Sequence, residues 1–199
     1  MGTMVLLVLV ILFGPSAGNR TYAGALDSPG AYKSLVCTAC HGDGGNSPGD
    51  TVPVIAGLAP AYFKKAIKDY AEGRRASPEM EPYAKYVMQA GLDEVAGYFA
   101  EQKRQPRRVK ADAQALKRGA AAAVQCAACH NAEAERDAEK AVPSLRGQPP
   151  GYLSVQMLLL KDDKRKLEDT ALDETKKRML KSLSDRDVAD LAAYFASLK

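Results

Sequence analysis

Two five-residue segments constrain this chain more than anything else in it. Cys37-Thr38-Ala39-Cys40-His41 returns 89 residues later as Cys126-Ala127-Ala128-Cys129-His130, and the two segments hold all four cysteines and both histidines of the 199 residues. The repetition continues downstream. Pro53-Val54-Ile55-Ala56-Gly57 returns as Pro143-Ser144-Leu145-Arg146-Gly147, Tyr62-Phe63 as Tyr152-Leu153, and Gly97-Tyr98-Phe99-Ala100 as Ala193-Tyr194-Phe195-Ala196. One structural unit is therefore written twice. Tyr62 and Tyr98 are 36 residues apart and Tyr152 and Tyr194 are 42 apart, so the second copy carries six additional residues. The expected organisation is a first domain over 26–102, a linker over 103–111 and a second domain over 112–199. The stretch Lys103-Arg104-Gln105-Pro106-Arg107-Arg108 suits the linker, because a proline among like charges neither packs nor continues a helix.

Within each unit the apolar pattern has the period of a helix, and no stretch alternates for long enough to be read as a strand. Pro60 fits the first turn of a helix whose positions Tyr62, Phe63, Ala66, Ile67 and Tyr70 share a face, with Gly73 as its stop. Pro149-Pro150, followed by Tyr152, Val155, Gln156 and Leu159, repeats that design. Ser184 and Asp187 have the spacing of a helix cap, ahead of an apolar stripe through Val188, Leu191, Tyr194, Phe195 and Leu198. The predicted fold class is all-α, in two tandem domains. Roughly 80 residues bury only a modest core, so each domain calls for a staple or a large apolar cofactor.

Cys-x-x-Cys-His is the attachment signature of a c-type haem. Two thiols three residues apart on a helical turn can form thioether bonds to two vinyl groups of one porphyrin, and the adjacent imidazole can ligate its iron. Cys37, Cys40 and His41 would hold one haem, and Cys126, Cys129 and His130 a second. A zinc site built from both Cys-x-x-Cys pairs would have to bring together segments from separate repeat units. A redox dithiol expects a β-α-β setting that is absent, and a disulfide between cysteines this close on a helix is strained.

The compartment agrees with the haem reading. Met4 to Phe13 is a ten-residue apolar run followed by Gly14-Pro15 and the small residues Ala23-Gly24-Ala25. A spanning helix needs about 20 apolar residues, so residues 1–25 read as a cleavable export signal, although no Lys or Arg precedes the run. Removing it takes away Arg20 and moves the formal charge from +4 to +3. A balance so small and so evenly spread gives no footprint for nucleic acid. The basic run Lys161 to Arg165 and the cluster Lys176-Lys177-Arg178 read as solvated faces.

On these motifs both halves resemble the small class I cytochromes c, and the tandem pair behind an export signal resembles the di-haem cytochrome c4 family over essentially the whole mature chain. The resemblance implies a periplasmic electron carrier with one covalent haem c per all-α domain. It also implies that the proline after each haem motif, Pro53 and Pro143, accepts a hydrogen bond from the ligating histidine and fixes its ring. The family's sixth ligand is a methionine, whose thioether raises the potential. No histidine is left for that position. Counting back from Tyr98-Phe99-Ala100 places Met80 there in the first half. Met88 and Met157 fall elsewhere and read as packing residues.

In the second half the same count from Leu183 lands on Lys176, with Met179 one helical turn further on. Either the insertion lets a loop present Met179, or Lys176 is the ligand, or the iron is five-coordinate or bound to something else. Register favours lysine, whereas chemistry favours methionine, because an ordinary amine loses its proton only near pH ~10.4. Met179 is the expected ligand and Lys176 the alternative.

The resulting expectation is a periplasmic carrier, not an enzyme, moving electrons from a respiratory donor, a membrane complex or dehydrogenase, to a terminal oxidase or reductase. Peripheral association with a membrane surface fits the same role. One alternative is the cytochrome subunit of a heteromeric dehydrogenase, such as a flavocytochrome sulfide dehydrogenase. Another is a di-haem enzyme acting at its second haem.

Overall fold

A computed structural model describes residues 28–106, 108–130 and 142–198, so the export-signal stretch lies outside the described residues. Helices account for the regular structure. In the first half α1 (Pro29–His41), α2 (Pro60–Ala71), α3 (Met80–Ala90) and α4 (Leu92–Glu101) follow in order, with a short 3-10 turn at Asp43–Gly45. In the second half come α5 (Ala113–Ala123), a 3-10 turn at Val124–Cys126, the short α6 (Ala127–His130), α7 (Pro150–Lys161), α8 (Thr170–Lys181) and α9 (Asp185–Ser197). Between the halves, Arg75 and Arg165 form an isolated antiparallel β-bridge.

The helices start where the sequence says they should. Pro60 and Pro150 occupy first-turn positions, where a missing N–H costs nothing, and Gly73, just beyond α2, takes a left-handed φ of 75°. Asp112 opens α5 by accepting hydrogen bonds from the amides of Gln114 and Ala115 at 2.9 and 2.8 Å. Ser184 and Asp187 form a full capping box at the start of α9.

Each half packs its last helix against its first: α1, which carries Cys37 and Cys40, on α4, and α5, which leads into the turn and short helix of Cys126 and Cys129, on α9. A glycine permits both crossings. A Cβ on Gly30 would lie 2.1 Å from the Glu94 carbonyl oxygen and 2.8 Å from the Tyr98 Cβ. On Gly119 it would lie 2.1 Å from the Asp190 carbonyl oxygen and 2.7 Å from the Tyr194 Cβ. Glu94 corresponds to Asp190 and Tyr98 to Tyr194, so the gap-free register of the last helices is a physical equivalence. Phe63, Ile67, Tyr70, Val87, Val95 and Phe99 fill the first core; Leu153, Leu191, Ala192, Phe195 and Ala196 fill the second. Burying each Phe side chain is worth about 1.5–3 kcal/mol.

By element length the six additional residues fall in α8, α9 and the link between them, and not in the loop before α8. The α2–α3 and α7–α8 connections are equally long. α8 has one residue more than α3, α9 three more than α4, and the link between α8 and α9 two more than Gly91 alone provides. The last helix therefore begins earlier in the shared register of the second half, Asp185 standing where Gln89 stands in the first.

The halves meet through a hydrogen-bonded seam. The Gln148 carboxamide accepts from the Val54 amide at 3.0 Å and donates to the Val54 carbonyl at 2.7 Å. The Tyr152 amide donates to the Asp50 carbonyl, and Lys166 to that of Arg74. The connecting segment is stitched down as well: Arg104 donates to the Arg146 carbonyl at 2.6 Å, and Asn46 bonds to Lys103 and Gln105.

Two sequence expectations are corrected. Met88 is not a packing residue, since it faces solvent at 40% exposure, whereas Met157 does pack against the second core. The basic clusters are not uniformly solvated. Lys177 is buried and paired with Asp163, Asp173 and Glu174, Lys161 bonds to the Leu183 carbonyl and to Asp185, and Arg165 donates to Gln156 at the seam. Runs of like charge hide such pairing because the acids that satisfy it come from neighbouring turns and loops.

Candidate functional site

His41 ends α1, and its Nδ1 lies 2.8 Å from the Pro53 carbonyl oxygen; His130 ends α6, with Nδ1 3.1 Å from the Pro143 carbonyl oxygen. A carbonyl only accepts, so each ring donates through Nδ1–H and keeps its Nε2 lone pair for a metal. Burial lowers the pKa of His41. Burial, and then the Lys176 charge, push that of His130 down to about 4. Both imidazoles are neutral at pH 7, the state in which histidine ligates iron.

The cysteines repeat their placement. Cys37 and Cys126 are half-buried, each packed against its own core, while Cys40 and Cys129 are exposed, and all four are free thiols. Burial drives the Cys37 thiol up to about 11 and raises that of Cys126. Zinc-binding and redox thiols are ordinarily held low, and among the described residues no three His, Cys, Asp or Glu side chains converge as a ligand set. The donors fit a porphyrin better. Two thiols spread along a helix end, a tautomer-fixed imidazole, and exposed apolar neighbours, Leu35 and Val36 beside Cys37 and Val124 beside Cys126, match a large apolar ring anchored at its edge.

Opposite the histidines the halves differ. Met80 opens α3, its amide held by the Ser77 hydroxyl at 3.2 Å, and packs against the first core alongside Cys37. Met179 is half-buried in α8, its carbonyl accepting from the Ser182 hydroxyl at 2.7 Å. It does not join the second core, where Met157 packs instead. Lys176 is half-buried, and its charge acts on His130 and Cys126, with Cys129, Arg165 and Tyr62 also within its electrostatic reach. Burial, followed by Arg165, lowers its pKa from the ordinary lysine range.

The seam holds functional candidates that the motif reading passed over. Arg75, 3% exposed, donates to the Tyr152 hydroxyl at 2.6 Å and to Gln156 at 3.1 Å, and its guanidinium carbon lies 4.5 Å from the Tyr70 ring centroid. Arg165 donates to the same Gln156 oxygen at 2.8 Å. Neither arginine pairs with a carboxylate among the described residues. Two guanidiniums that share one amide oxygen and lie beside phenols concentrate positive charge at the seam. The signal was present in the sequence: Arg75 and Arg165 stand 90 residues apart, as Tyr62 and Tyr152 do.

Comparison with known proteins agrees with this geometry. The cytochrome c family model matches residues 116–199. Cytochrome c4 of Pseudomonas aeruginosa is 32% identical, the alignment covering 96% of this chain and 98% of that protein. The thiosulfate dehydrogenase electron acceptor of Stutzerimonas stutzeri is 28% identical over 91% of this chain and 86% of its own length. Among solved structures, reduced recombinant cytochrome c4 from Pseudomonas stutzeri matches with a TM-score of 0.76 at 25% identity, covering 88% of this chain and 99% of that one.

Proposed function

Because the chain belongs to the cytochrome c4 family of di-haem electron carriers, we propose that it works in the periplasm, relaying electrons between a respiratory donor and a terminal oxidase or reductase. The observation that carries this reading is the duplicated histidine geometry, with each Nδ1 tied to a proline carbonyl. Its cofactors are two covalently bound haem c groups, each of which supplies a one-electron ferric–ferrous couple.

The residue assignment follows the two halves. Cys37 and Cys40 anchor the first group and Cys126 and Cys129 the second, in domains spanning 26–102 and 112–199. His41 and His130 bind iron through Nε2, oriented by Pro53 and Pro143. Met80 takes the opposite position in the first domain, where its thioether raises the potential. Arg75 and Arg165 offer positive charge between the domains, complementary to haem propionates. Residues 1–25 act as the export signal, and no helix among the described residues is long and apolar enough to cross a membrane. The likeness to a thiosulfate dehydrogenase electron acceptor supports a dehydrogenase as donor.

The test is expression with haem-attachment machinery, followed by a count of covalent haem per chain, redox titration with small mediators and amino-terminal sequencing. Two haems per chain, both reversibly reducible, on a protein beginning just after Ala25 and recovered from the periplasm, are expected. One haem, or irons that resist reduction, would overturn the carrier assignment.

A further inference from the structure

We propose that Lys176, rather than Met179, is the sixth ligand of the second haem, so that the two haems of this carrier are unlike. The inference rests on the di-haem reading above and deepens it.

Three observations converge on Lys176. The first is register. The matched contacts of Gly30 with Glu94 and Tyr98, and of Gly119 with Asp190 and Tyr194, fix the last helices to one another without a gap. Carried back, this register pairs Val87 with Leu183, each packed in its own core, and Met80 with Lys176. Counting forward from the equal α2–α3 and α7–α8 connections instead pairs Met80 with Thr170, which has no donor for a haem iron, and neither count reaches Met179.

The second observation is position. Lys176 is the residue of α8 whose charge bears on both His130 and Cys126, which places its side chain toward the haem-binding segment. The third is the lack of a partner. Lys176 is half-buried and makes no hydrogen bond or ion pair with any described residue, while Asp173 and Glu174 of its own helix and Asp163 of the preceding loop pair with the neighbouring Lys177. Withdrawing an ammonium from water without pairing it is costly. A metal removes that cost: Nζ releases one proton to solvent and its lone pair forms the bond to iron, with no change in oxidation state.

The difference sets a direction for electrons. A methionine ligand favours the ferrous iron, and an amine, a harder donor, favours the ferric. The second haem is therefore the lower-potential one, and electrons entering there run downhill to the first.

The experiment uses the di-haem protein, comparing wild type with Lys176→Met, Lys176→Ala and Met179→Leu. Its readouts are covalent haem per chain, the methionine-to-ferric-iron charge-transfer band per chain, and ferric EPR. The wild type should show one such band for two haems. Met179→Leu should leave it unchanged, Lys176→Met should double it, and Lys176→Ala should alter the EPR of one haem only. Two bands in the wild type with half the intensity lost in Met179→Leu, or an unaltered ferric spectrum in Lys176→Ala, would overturn the assignment. Fewer than two haems per wild-type chain would instead overturn the di-haem reading beneath it, which the haem count detects separately.

Discussion

In the first half Met80 stands at the first turn of α3 and leans on the apolar core, whereas its counterpart by register, Lys176, stands well inside α8. On the histidine side the halves scarcely differ, with the same bond from Nδ1 to a proline carbonyl and the same pair of one half-buried and one exposed cysteine. The additional residues of the second half fall entirely in α8, α9 and the link between them. Duplication has thus kept the side that anchors a haem and altered the side that tunes it. A carrier with two equal sites passes electrons either way; altering only the tuning side gives a direction without rebuilding the attachment.

The largest break in that comparison comes from the cysteines. Replacing Cys37 and Cys40 by alanine, or Cys126 and Cys129, should each cut covalent haem from two per chain to one. The methionine-to-iron band should disappear with the first pair and survive loss of the second. Haem stain on a denaturing gel and the ferric absorption spectrum check both statements.

The glycine crossings test whether the halves are equivalent in packing. Gly30→Ala and Gly119→Ala each push a methyl against a helix carbonyl that cannot yield. Each should cost about 3 kcal/mol or more, the upper end for overpacking a tight contact. Thermal unfolding of the two variants should show similar losses, each in its own domain. A loss in only one would mean that the shared register does not extend to the energetics.

These crossings also show what was legible beforehand. The helical class, the twofold repeat, the proline starts of α2 and α7 and the Ser184 cap were all readable, because periodicity and capping are local properties of the chain. The roles of Pro53 and Pro143 were readable through the family resemblance, and their carbonyls sit where it put them. The seam was not readable from local patterns, although the repeat spacing relates Arg75 to Arg165. Gln148 and Arg75 bond to groups 77 to 94 residues away in the chain, and no local pattern marks which polar residue will be buried against another domain. Lys177 was misread for a different reason: two of its acid partners, Asp173 and Glu174, stand at ordinary helical spacing before it, and the run of like charge was given more weight than that spacing.

Gln148 gives the third test, because the seam is where symmetry is broken chemically. Its counterpart in the first half is Leu58, a core residue, whereas Gln148 satisfies both backbone groups of the buried Val54. Making the halves alike with Gln148→Leu should cost about 1–3 kcal/mol, the penalty for leaving a buried amide and carbonyl unpaired. Denaturant unfolding followed at each haem should then show the two domains melting further apart.

The smallest expected effect concerns the starts of the last helices. α4 begins after Gly91, which has no side chain to cap it, while Ser184 accepts from the Asp187 amide at 3.2 Å and donates its hydroxyl to the Asp187 carboxylate at 2.7 Å. Ser184→Ala should lower stability by about 1 kcal/mol, in the second domain alone. The bonds from the Ser184 hydroxyl and then its amide hold the Asp187 carboxyl below the usual carboxylate range. A carboxyl depressed in the folded state stabilises above its unfolded pKa, and that contribution fades as the pH falls through its folded value. Acid should therefore narrow the gap between wild type and Ser184→Ala, since the variant has less of this contribution to lose. Melting curves at neutral pH and in the acid range, resolved by the second haem's absorption, measure it; a gap that widened in acid would mean that Asp187 stabilises α9 mainly in its protonated form.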